Sequence, residues 1–198
     1  MELTLENITI PIKGDISDSM SDKEFLDFCL QNKMLRVERD ENKQIIIMAP
    51  TTSSTGIINA SLISKLIVWN EKKKLGFCFD SVAGFTLSDR SVRSPDASWV
   101  NAKKWNQLTD LQKDSFAPIC PDFVIELKSK SDNHKYLTAK MDKWIKNGCA
   151  FAWLINPENK TAFIFRKDGS MNEVYDFKNI LSGEDVLPGF KLDLSILL

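Results

Sequence analysis

Residues 120–132 read CPDFVIELKSKSD. Phe123–Leu127 has the apolar, β-branched character of a buried strand, yet Glu126 stands inside it and Lys128 follows two positions later. On a period of two, Val124, Glu126 and Lys128 share one face. After the SKSD loop the period changes. Tyr136, Leu137, Lys140, Met141, Trp144 and Ile145 recur at helical spacing, and Gly148 ends the run. CAFAWLI, residues 149–155, then predicts a second buried strand. Strand, helix and strand in that order make a crossover, which favours an α/β fold: a mixed sheet with helices packed on it.

Working outward, SDKEFLDFCLQNKML predicts a first helix from Ser21, with Ser21 and Glu24 spaced as a capping box. QIIIMAP is a strand stopped by Pro50, and residues 55–73 form a second helix carrying Ile58, Leu62, Leu66 and Trp69, with Gly76 ending it. GFCFD, GFTLSD and SPDASWV are short strands, the last entered through Pro95. TAFIFRK and MNEVYDF follow CAFAWLI as further strands, separated by NPENK and DGS turns. Residues 1–20 read as an N-terminal extension and 21–198 as one domain, a length that buries a sizeable core.

Lysine and arginine total 26 against 27 acidic residues, a balance that neither demands nor excludes nucleic acid. A single histidine, His134, argues against a histidine-built zinc site or a histidine-centred triad. The four cysteines are widely spaced among apolar neighbours and read as reduced core thiols of a cytoplasmic protein. No apolar run is long enough to span a bilayer. MAPTTSSTG lacks the glycine–lysine pattern of a phosphate-binding loop.

The chemistry gathers around Glu126. A carboxylate at a strand end holds a hard cation such as Mg²⁺, and a neighbouring lysine offsets charge on a phosphoryl group; a structural ion pair is the competing reading. Asp96, directly after Pro95, places a second carboxylate for a neighbouring strand, and Glu38 in RVERDENK is a third acid. Asp122 is the fallback for Asp96. Lys140, on the helix after the dyad, is a candidate contact to phosphate or water. Ser131 or Asp132 caps that helix.

Pro95-Asp96 followed by Glu126-x-Lys128 is similar to the PD-(D/E)xK signature of restriction-endonuclease-like nucleases. The surrounding text, RVERDENKQIIIMAPT, RSPDASWV, WNQLT, FAPICPDFVIELKSKSD, KMDKWIKNG and AWLINP, resembles a cyanobacteria-rich family of such endonucleases, formerly a domain of unknown function. The resemblance runs from about residue 21 past residue 175. It implies a restriction-endonuclease-like core and a Mg²⁺-dependent endonuclease, with Mn²⁺ as a substitute, acting on nucleic acid and on DNA before RNA. Asp96, Glu126 and Glu38 are then metal ligands and Lys128 the catalytic lysine. The apolar strands after residue 149 could cover a second copy in a homodimer, since cutting of both strands is often done by two-fold dimers, and no membrane is involved. The alternative is a catalytically silent nucleic-acid-binding or regulatory domain of the same fold. The chain departs from its relatives before IIIM, where Lys43-Gln44 replaces a common glycine at a turn.

Overall fold

A computed structural model describes residues 2–5, 8–11, 20–130 and 132–197. Strands β1 (Glu2–Leu5) and β2 (Ile8–Pro11) pair as a hairpin. Helix α1 (Asp22–Gln31) starts at Ser21, whose hydroxyl accepts from the Glu24 N–H while Glu24 returns a bond to the Ser21 N–H, so the expected capping box is present. β3 (Arg36–Arg39) and β4 (Ile45–Met48) are joined by a tight turn. Lys43 sits in that turn at φ 65°, the left-handed conformation for which glycine is suited, so the Lys43-Gln44 turn falls on a strained backbone position.

Helix α2 (Ser53–Lys73) is capped by Thr52 and closed by Lys74 in the left-handed region, earlier than Gly76. Gly76 instead opens β5 (Gly76–Phe79), where a Cβ would lie 2.2 Å from the Val100 carbonyl oxygen. After it come β6 (Phe85–Thr86), β7 (Val92–Arg93) and β8 (Ala97–Asn101). Two short helices follow, α3 (Ala102–Trp105) and α4 (Asp110–Lys113). The crossover is β9 (Phe123–Leu127), α5 (His134–Lys146) and β10 (Phe151–Asn156), with β9 and β10 parallel. β11 (Thr161–Arg166), β12 (Met171–Tyr175), β13 (Ile180–Ser182), β14 (Lys191–Asp193) and a 3₁₀ turn (Leu194–Leu197) complete the chain.

The main sheet has six strands in the order β12-β11-β10-β9-β8-β5 and is mixed, as the sequence predicts. Alternation along β9 and β10 builds two cores. Phe123, Ile125, Leu127, Trp153 and Ile155 face α2 and the C-terminal segment. Val124, Ala152 and Leu154 face α5 through Leu137, Met141 and Trp144. A second sheet, β4-β3-β7-β6, packs with α1 around Phe25, Phe28 and Val92. Arg39 of β3 is fully buried there, ion-paired to Asp22 and placed 4.8 Å from the Phe25 ring centre, which fixes α1 to this sheet.

The strand β3 within RVERDENK was not among the sequence expectations, and it positions Glu38. Asn133, not Asp132, is the N-cap of α5, accepting from the Tyr136 N–H at 3.2 Å. Asp132 accepts from the Ser129 N–H at 2.7 Å instead, which turns its carboxylate back into the loop. Ser131 lies outside the described residues.

Candidate active site

Glu126 is on the face of β9 that meets α5, near the end of the strand, and is 4 % exposed. The antiparallel register pairs Ala97 with Ile125, so one step along the ladder Asp96 lies across from Glu126. Pro95 makes this possible. It carries the chain from β7 of the small sheet into β8 of the large one, and Asp96 is the first residue on the far side. Asp96 Oδ2 accepts the Leu127 N–H at 2.8 Å, which ties its carboxylate to the end of β9.

Helix α5 supplies the cation. Lys140 is 9 % exposed, and its ammonium lies 2.9 Å from Glu126 Oε1 and 3.2 Å from Glu38 Oε1. One helical turn later, Trp144 donates its indole N–H to the same Glu126 oxygen at 2.9 Å. Glu38 arrives from β3 and is 1 % exposed. Its Oε1 also accepts the Ser94 N–H at 3.0 Å, and its Oε2 accepts from Arg93 at 3.0 Å. Arg93 continues outward to Glu41 at 3.6 Å, and Glu41 to Lys143 at 2.6 Å. One connected array of charge thus joins β9, α5, β3 and β7.

The energetics separate the acids. Burial pushes Glu126 up to about 7; Lys140 opposes this, while Asp96 and Glu38 reinforce it. Asp96 is raised as well, chiefly by burial, against the opposing pull of the Leu127 N–H and Lys140. Burial also acts on Glu38, but Lys140, the Ser94 N–H and Arg93 outweigh it and hold Glu38 below the usual carboxylate range. Lys140 is raised because its glutamate partners overcome its own burial. Glu38 is therefore the settled anion, and the readily exchanged proton belongs to the Glu126–Asp96 side.

Asp96, Glu126, Glu38 and Lys140 converge, while Lys128 stands apart. It follows β9, and its ammonium donates to the Ser129 carbonyl at 3.0 Å and lies 3.9 Å from Glu158. Asp122 precedes β9, about 13 Å along an extended chain from Glu126. It accepts from the Asn101 N–H at 2.8 Å and from Lys104 at 3.2 Å. Arg93 and Trp144 are members of the array that sequence reasoning did not single out. Their signals were spacing: Trp144 is one helical turn from Lys140, and Arg93 stands three residues before Asp96.

Oxygen donors from adjacent strands suit a hard divalent cation, which binds through one or two carboxylates and keeps water for its remaining positions. Asp96 and Glu126 fit that description. Glu38 has both oxygens engaged by nitrogen donors. Among the described residues, no group of three or more histidine, cysteine, aspartate or glutamate side chains is placed to hold a metal ion.

The model of the Uma2 family, described as "Putative restriction endonuclease", matches residues 22–195. The chain belongs to this family. A crystal structure of a "putative nuclease belonging to DUF820" from Anabaena variabilis ATCC 29413 superposes with a TM-score of 0.71 at 19% sequence identity. The superposition covers 87% of this chain and 96% of that one, and shows that the two share a fold. No curated protein matches the chain. The Uma2 assignment agrees with the restriction-endonuclease-like architecture that Pro95-Asp96 and Glu126-x-Lys128 imply. No described helix is long and apolar enough to cross a membrane.

Proposed function

We propose that this Uma2 protein is a metal-dependent endonuclease that hydrolyses phosphodiester bonds in nucleic acid, DNA before RNA. The observation that carries this reading is the cross-strand pair Asp96 and Glu126, held at adjacent strand ends beside a buried ammonium. Asp96 and Glu126 would hold Mg²⁺ or Mn²⁺, which supplies Lewis acidity toward a phosphoryl oxygen. Glu126 gives up its proton near neutral pH and so presents a charged oxygen when a cation is offered. Trp144 and Lys140 fix the carboxylate's orientation from the helix side. Lys140 would also offset negative charge building on a phosphoryl group, and Lys128, from the loop after β9, would be a second cation toward the substrate. Glu38, which the family resemblance implies as a third ligand, is proposed as a positioning residue: it acts through Lys140, which it holds together with Glu126.

One observation favours a second reading. The Lys140 ammonium already bridges Glu126 and Glu38, as a resident cation would in a silent binding or regulatory domain. Incubation with DNA and RNA in Mg²⁺ and in Mn²⁺ separates the two. The nuclease reading predicts metal-dependent products that fall at least about a hundredfold with Asp96→Asn or Glu126→Gln. Metal-independent products, or none from wild type on any substrate, would replace it with the binding-domain reading.

A further inference from the structure

The sheet face that carries Glu126 continues past the cover of α5. Strand register places Glu126 beside Leu154, Leu154 beside Phe163, and Phe163 beside Glu173. In the next row Asn156 lies beside Thr161 and Thr161 beside Tyr175. The Lys128 N–H donates to the Ile155 carbonyl at 2.8 Å, extending the β9–β10 ladder and bringing Lys128 alongside Asn156. Helix α5 begins at His134, whose ring centre is 4.9 Å from that of Phe163. Beyond this point the face is open, forming a cleft of about 420 Å³ whose wall includes Lys128, Asn156, Asn159, Thr161, Glu173 and Tyr175. That volume lies in the range of small-ligand sites.

Folding alone does not account for the chemistry of this wall. Tyr175 stands 64 % exposed on the edge strand, and its hydroxyl donates to Glu173 at 2.6 Å, which fixes that carboxylate. Asn156 is 3 % exposed, and its side-chain oxygen accepts the Asn159 N–H at 3.3 Å. Lys128 lines the same space, and among the described residues its ammonium donates to the Ser129 carbonyl at 3.0 Å and lies 3.9 Å from Glu158. An exposed ring offers a stacking platform to any base. A fixed carboxylate accepts from the exocyclic amine of cytosine or adenine, and an ammonium takes a phosphate. Glu173 in the wall and Glu158, 3.9 Å from the Lys128 ammonium, would repel the paired backbones of a duplex. A single unpaired nucleotide carries all three of the groups this wall would recognise: a base face, an exocyclic amine and a phosphate.

We propose that this cleft is a subsite for one unpaired nucleotide flanking the scissile phosphate, selective for a base with an exocyclic amine. Tyr175 stacks on the base, Glu173 accepts from the amine, and Lys128 holds the phosphate on the side nearer Glu126. The position relative to a scissile phosphate rests on the nuclease reading; the binding itself does not.

The test is an NMR titration of the whole ¹⁵N-labelled protein with dCMP and with dUMP, in which a carbonyl and an N3–H replace the exocyclic amine and the N3 acceptor of cytosine. The same titration with six-nucleotide dC and dU strands follows. We expect dCMP to shift the amide signals of Asn156 and Asn159 and to bind about tenfold tighter than dUMP. Tyr175→Ala should weaken dCMP about tenfold, and Glu173→Gln should abolish the dCMP preference. Both side chains are exposed, so these variants leave the core intact. No response at Asn156 and Asn159, or equal affinity for dCMP and dUMP, overturns the subsite even if the protein cleaves DNA. Selective binding without cleavage would support the subsite while removing the nuclease reading. Free dCMP binding as tightly as the dC strand would overturn the flanking position.

Discussion

Replacing Glu126 by glutamine tests whether burial or Lys140 controls the site. Glutamine keeps an acceptor for Trp144 and Lys140 but cannot ionise. In the wild type, Glu126 moves from the ordinary 4.5 to about 7. Between those values the native state holds a proton that the unfolded chain has released, so native stability declines as pH rises across the window. The loss contributed by this one group is roughly 3 kcal/mol by pH 8. The variant has no such proton to lose. Urea denaturation of both proteins at pH 5 and pH 8 should therefore show the glutamine variant gaining about 2–3 kcal/mol on the wild type between the two conditions. A stability difference that stays constant with pH would refute the reasoning, because it would mean that Lys140 keeps Glu126 ionised throughout.

Three further outcomes follow from the same contacts. Lys140→Met leaves Glu38 and Glu126 facing each other without their shared ammonium; it should cost about 3–5 kcal/mol in urea denaturation, and adding Glu38→Gln should restore part of the loss. Trp144→Phe keeps the ring in the α5 core but removes a charge-assisted hydrogen bond. Carbon-13 NMR of labelled glutamate should then show Glu126 titrating above its wild-type midpoint, at a stability cost of about 1–3 kcal/mol. Lys43→Gly relieves the left-handed backbone at the β3–β4 turn and should stabilise the protein by up to about 1 kcal/mol, read as a raised Tm; a lower Tm would show that the turn is not strained.

The large features of the fold are legible because they rest on period. The change from the alternation of FVIEL to the helical spacing of residues 136–145, and back to CAFAWLI, encodes the parallel β9–α5–β10 unit. Its helical pattern positions Leu137, Lys140, Met141 and Trp144 are buried, while Tyr136 is exposed. The pairing of Asp96 with Glu126 is also anticipated by Pro95, since a proline-led extended entry delivers the next side chain to a strand start. What fails is anything decided by charge in the interior. RVERDENK looks like a solvated turn because its residues are polar, but Arg39 and Glu38 are buried by partners remote in sequence, Asp22, Arg93 and Lys140. A buried ion pair carries no hydrophobic signature, and its strand went unrecognised for that reason. Lys128 illustrates the converse. Its alternation with Glu126 suggests a shared face and a shared site; the face is shared, with Lys128 beside Asn156, but the ammonium turns toward Ser129 and Glu158 rather than toward Glu126. Capping of α5 was misassigned within the polar run of residues 128–135, where Asn133 is the one whose side-chain oxygen reaches the Tyr136 N–H.

The relation between Lys140 and an incoming cation decides between the catalytic and silent readings. Both would use the Glu126 carboxylate, one as a ligand and the other as a fixed partner of an ammonium. The decisive measurement is a calorimetric titration of Mg²⁺ into the metal-free protein at pH 7, in two buffers of different ionisation enthalpy, beside Glu126→Gln. The proposed site predicts binding by the wild type with release of a fraction of a proton, because Glu126 is partly protonated at that pH, and no binding by the variant. Equal Mg²⁺ uptake by both proteins, or none by the wild type up to about 10 mM, a range in which a two-carboxylate site should fill, would contradict the assignment of Asp96 and Glu126 as a metal site.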